Sequence, residues 1–111
     1  MNNREYHNKL VRDKIPEIIR ANNHQFETKV LNKKEFEREL KKKLLEETDE
    51  LVKAPKKYLI NELSDVLELI KSIASHYKIN FKKVEKNQID KRKKRGGFKK
   101  KIFLIWSTKE N

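Results

Sequence analysis

The chain has 111 residues, with 29 Lys and Arg against 17 Asp and Glu, a formal net charge of +12. It has no cysteine, which excludes disulfide staples and thiolate metal sites. No apolar run nears the ~20 residues of a membrane span and no charged-then-apolar leader opens the chain, so a cytoplasmic protein without a membrane partner is expected.

Residues 1 to 15 show no helical period. Ile15 precedes Pro16, which biases it away from the helical region, and Pro16 suits the first turn of a short helix ending near Asn22 and Asn23. FETKVL, 26 to 31, alternates and reads as a short strand or an extended connection. Asn32, with Glu35 three residues on, is an N-cap for a long helix from about 33 to 53. Its apolar stripe is Phe36, Leu40, Leu44 and Leu51, and Pro55 ends it. A second helix is expected from about 57 to 77, with a stripe of Leu59, Leu63, Val66, Leu67, Ile70, Ile73 and Ala74. The short break makes the two antiparallel neighbours. A third helix from about 81 to 95 starts near Asn80, carries Phe81, Val84 and Ile89, and stops at Gly96-Gly97. The tail IFLIW, 102 to 106, reads as a buried strand or a segment that docks on a partner subunit; Trp106 is placed in an interface.

The expected fold is therefore all-α, one domain over 1–111: an antiparallel helical bundle with a short extended C-terminal tail. Apolar residues make up only 35% of the chain and charged ones 41%, so a core completed by self-association is expected.

Charge is unevenly spread. Residues 46 to 68 carry seven acids against three lysines, whereas 82 to 111 carry twelve Lys and Arg against three acids. Four of the seven acids form two i,i+3 pairs, Glu47-x-x-Glu50 and Glu62-x-x-Asp65, on either side of the proline break. With Leu44 at 0° and about 100° per residue, Glu47 falls at about −60°, inside the apolar stripe, and Glu50 on its edge. Glu62 flanks the buried face of the second helix, close to Ile73; Asp65 shares that flank, while Asp49 and Glu68 read as solvated surface. An ionised, unpartnered carboxylate at Glu47 would cost roughly several kcal/mol, so it calls for a cation or a proton. Hard cations such as Mg²⁺, or Mn²⁺ in its place, take such oxygens together with water and substrate phosphate. Glu47, Glu50, Glu62 and Asp65 are the candidate metal ligands. His7, His24 and His76 show no metal spacing.

KLLEETDEL followed by NELSDVLELI resembles the ExxE…ExxD pattern of the all-α nucleoside triphosphate pyrophosphohydrolases. KLVRDKIPEII (9 to 19) and RGGF (95 to 98) resemble the two ends of a small MazG-like, phosphoribosyl-ATP pyrophosphohydrolase-like branch of that superfamily. The resemblance implies Mg²⁺-dependent hydrolysis of a nucleoside triphosphate between the α and β phosphates, giving monophosphate and pyrophosphate. It implies a homodimer or homotetramer. It gives catalytic places to Glu47, also a ligand, and to Glu46, as an outer-shell or water-orienting group.

Asn87, Lys91 and Arg95 recur at steps of four and share a helix face. They resemble the phosphate-contacting positions of MazG-like proteins. Arg12 and Lys14 flank Asp13; either they bring charge to a triphosphate or they pair locally with Asp13 or Glu17. The basic C-terminal third also fits a nucleic-acid-binding module without catalysis, with binding that weakens in salt. Its lysines carry little aromatic interleaving, which weakens a single-strand platform.

Overall fold

The computed structural model describes residues 3–109. Its regular elements are helical: α1 (Ile15–Ala21), α2 (Lys33–Lys53), a 3₁₀ turn (Lys56–Tyr58), α3 (Leu59–His76) and α4 (Phe81–Arg95). Among the described residues there is no strand, so 26 to 31 is an extended connection. The chain divides into two compact units, residues 1–73 and residues 74–111.

The helix ends follow from local chemistry. The Asn32 side chain accepts from the Glu35 amide at 2.9 Å while the Asn32 amide donates to the Glu35 carboxylate at 3.1 Å, a reciprocal capping box that fixes the start of α2. Asn80 caps α4 through the Lys82 amide at 3.0 Å. Pro16 sits in the first turn of α1, as expected, but that helix opens one residue earlier, at Ile15. There the Ile15 amide donates to the Arg12 carbonyl at 3.0 Å, and this turn outweighs the pre-proline bias. The second long helix begins at Leu59, where its apolar stripe begins, and not at the expected 57: after Pro55 the chain first makes the 3₁₀ turn, with the Tyr58 amide on the Pro55 carbonyl at 3.0 Å.

α1 and α3 end alike. At α1, His24 N–H reaches the Ile19 carbonyl (3.1 Å) and Asn23 N–H reaches Arg20 (2.9 Å), with Asn23 at φ 61°. At α3, Ile79 N–H reaches Ala74 (2.8 Å) and Lys78 N–H reaches Ser75 (3.0 Å), with Lys78 at φ 56°. Both are Schellman closures on a left-handed residue, neither of them glycine. α4 stops at Gly96, whose φ of 84° is easily reached only without a Cβ.

In the first unit, the stripe of α2 is turned inward. Leu40 is 2% exposed, and Phe36, Leu44 and Leu51 are half-buried. On α3, Leu59, Val66 and Ile73 are half-buried. Leu63, Leu67 and Ile70, expected in the same stripe, are instead exposed, together with Ile60 at 83%. With Leu59, Val66 and Ile73 these four make an apolar sector of about 140° around the helix. One neighbouring helix cannot cover so wide an apolar sector, so a second face of α3 is left open. In the second unit Ala74 is buried, and Phe98 and 102 to 106 are exposed without regular structure.

Candidate metal centre

α2 and α3 form a helical hairpin through Ala54–Tyr58, and this places Glu47, near the end of one helix, beside the first two turns of the next. One carboxylate oxygen from each of Glu47, Glu62 and Asp65 lies within 4.8 Å of the others. All three residues are half-buried; Glu47 keeps only 14% of its side chain exposed. One carboxylate oxygen of Glu47 and one of Glu62 are buried with no hydrogen-bond partner. Carboxylates only accept, so three of them at this separation repel unless a cation or a proton intervenes.

The electrostatics of Glu47 show that strain. Burial first, then repulsion from and hydrogen bonding with Glu50, then Asp65, hold its carboxyl above the ordinary carboxylate range, and Lys43 opposes them. Lys43 Nζ is 3.6 Å from Glu47, with 21% of its side chain exposed. This lysine was not anticipated from the sequence, although its i,i+4 spacing to Glu47 was the available signal.

Three of the four expected metal ligands thus converge. The fourth, Glu50, is one turn on along α2, exposed, and beside Glu47. Glu46 is exposed. Asp49 is surface-exposed and bonded to Lys53 at 3.0 Å, as expected of a solvated acid. Glu68 is also half in solvent, but it takes part in a longer-range contact.

That contact comes from the segment before α1. Arg12 donates to Asp65 at 2.9 Å and lies 3.7 Å from Glu68. It therefore pairs across 53 positions with the acid cluster, rather than with Asp13 or Glu17. Lys14 stands at the N-terminal boundary of α1, exposed. Asn87, Lys91 and Arg95 are exposed on α4, in the second unit.

The donor set is all oxygen, drawn from two helices, with two buried oxygens lacking a partner. It fits a hard divalent cation, and Glu47, Glu62 and Asp65 are the residues that would hold it. Among the described residues no helix is long and apolar enough to cross a membrane. No curated protein and no solved structure matches the chain. The family model of the MazG nucleotide pyrophosphohydrolase domain matches residues 36–97, more than half of the chain and all but the first three residues of the α2–α3 hairpin. An all-helical chain with a carboxylate cluster at that hairpin, matched over this stretch, belongs to the MazG nucleotide pyrophosphohydrolase family.

Proposed function

We propose that the chain is a Mg²⁺-dependent hydrolase, with Mn²⁺ as a substitute, that splits a nucleoside triphosphate or a phosphoribosyl-ATP-like nucleotide between the α and β phosphates. The observation that carries this reading is the carboxylate cluster of Glu47, Glu62 and Asp65, in which Glu47 and Glu62 each keep a buried, unpartnered oxygen, inside the stretch matched by the family. Glu50, beside Glu47, is the proposed fourth ligand. A bound divalent ion would supply Lewis-acid polarisation of a phosphoryl oxygen and a more acidic water.

The chain's own residues do the rest. Glu46, exposed next to Glu47, orients a water and takes its proton as the water oxygen bonds to the α phosphorus. The bridging oxygen leaves with pyrophosphate, and the monophosphate remains. Arg12 and Lys14, and Asn87, Lys91 and Arg95, are the proposed phosphate contacts; Arg suits a bidentate grip and Lys a point charge. The family match runs through both compact units, which supports their acting as one domain. The open face of α3 supports a homodimer or homotetramer. Such an enzyme would tend the nucleotide pool of the cytoplasm.

The test is pyrophosphate release from a nucleotide panel in Mg²⁺. Glu47→Ala and Asp65→Ala are expected to fall to background with helicity retained by circular dichroism. Undiminished turnover in both variants would refute the assignment. A second reading, a basic module that binds nucleic acid weakly, draws on the exposed lysines of α4. It predicts DNA or RNA affinity that drops steeply with salt.

A further inference from the structure

Arg12 is placed where a divalent cation would be expected to compete with it. Its guanidinium holds Asp65 at 2.9 Å, and Asp65 supplies one of the three clustered carboxylate oxygens. The contact comes from outside the stretch that the family shares, since the match begins at residue 36. Arg12 is 58% exposed and Asp65 30%. An ion pair so open to water is held loosely and is readily exchanged. A second acceptor is already in place: Glu68, one turn along α3 and outside the cluster, lies 3.7 Å from the other guanidinium nitrogen.

We propose that Arg12 is a stand-in cation: it occupies Asp65 while no divalent ion is present, and yields it when one binds, swinging toward Glu68 or an incoming phosphate. The proposal rests on the metal reading given above. Its reasoning is electrostatic. Three carboxylates with oxygens within 4.8 Å of one another draw positive charge to them, and a guanidinium offers one unit where a divalent ion offers two. Once the ion is present, the guanidinium becomes a like charge beside it and is better accommodated one helical turn away. The same device couples the segment before α1 to the loading of the site. Its arginine is released for phosphate when the site is ready for substrate.

Competition and cooperation predict opposite signs. If Arg12 competes for Asp65, removing it tightens the metal; if Arg12 steadies Asp65 for the metal, removing it weakens binding. The experiment is a Mn²⁺ titration of the full chain, followed by electron paramagnetic resonance of the free ion, for wild type and Arg12→Gln. Circular dichroism checks that helicity is equal. An exposed pair of this kind sets the scale, so Arg12→Gln is expected to tighten Mn²⁺ about two- to fivefold at low ionic strength, with the gap closing in high salt. In wild type, the Arg12 side-chain N–H resonance is expected to shift on titration with diamagnetic Mg²⁺, with the same midpoint as binding. Unchanged or weaker Mn²⁺ binding in Arg12→Gln, or an unmoved Arg12 resonance, overturns the stand-in role and leaves the metal centre intact. Absence of Mn²⁺ binding in both proteins overturns the metal centre itself, and the stand-in role with it.

Discussion

Glu47 carries a cost when no cation is bound. Its folded-state pKa is raised, by burial first and then by Glu50, so between the ordinary carboxylate value and the raised one the folded chain keeps a proton that the unfolded chain has lost. Its contribution to stability is therefore full below the ordinary carboxylate value and is lost as the pH rises through the folded one. Glu47→Gln is expected to stabilise the metal-free protein at pH 7 and to make little difference near pH 4. Urea denaturation at the two pH values checks this. Glu35 runs the opposite way. The Asn32 amide, then Lys29, lower its pKa, so what it contributes is present above the ordinary value and fails as acid reaches the lowered one. The place of Glu47 was legible because a carboxylate inside an apolar stripe shows on a helical wheel. The partner of Arg12 was not, because no local pattern joins two residues 53 apart.

At the scale of elements, legibility followed the caps. The bounds of α2 and α4 were readable from Asn32, Asn80 and Gly96, whose side chains or lack of one decide where a helix begins or stops. The end of α3 was less so, because its closure uses Lys78 at φ 56°, a conformation that sequence assigns to glycine or asparagine. Lys78→Gly is expected to raise stability by about 0.5–1 kcal/mol, measured by urea denaturation. Asn32→Ala removes one half of the capping box and is expected to cost about 1 kcal/mol. The span 26 to 31 alternates as a strand would, yet with no second strand to pair with among the described residues it stays an extended link.

For the whole molecule, the open face of α3 is the main feature that composition only hinted at. The single chain leaves Ile60, Leu63, Leu67 and Ile70 in water, and in the proposed homo-oligomer a second copy would cover them. The melting temperature is then expected to rise with protein concentration. Leu67→Glu is expected to shift the protein toward monomer in light scattering coupled to size exclusion. Sequence could show that α3 is apolar over a wide sector; it could not show which part α2 leaves uncovered. The reach of Arg12 has a consequence for folding. Glu47 and Glu62 meet through a short hairpin, whereas Arg12 must close a loop of 53 residues to meet Asp65. The longer closure costs ~1 kcal/mol more in chain entropy, and an exposed ion pair returns only about 0–1 kcal/mol. The pair alone cannot hold the N-terminal segment down. The half-buried Leu10, Ile15, Pro16 and Ile19 must anchor it, and Arg12 sets where it points.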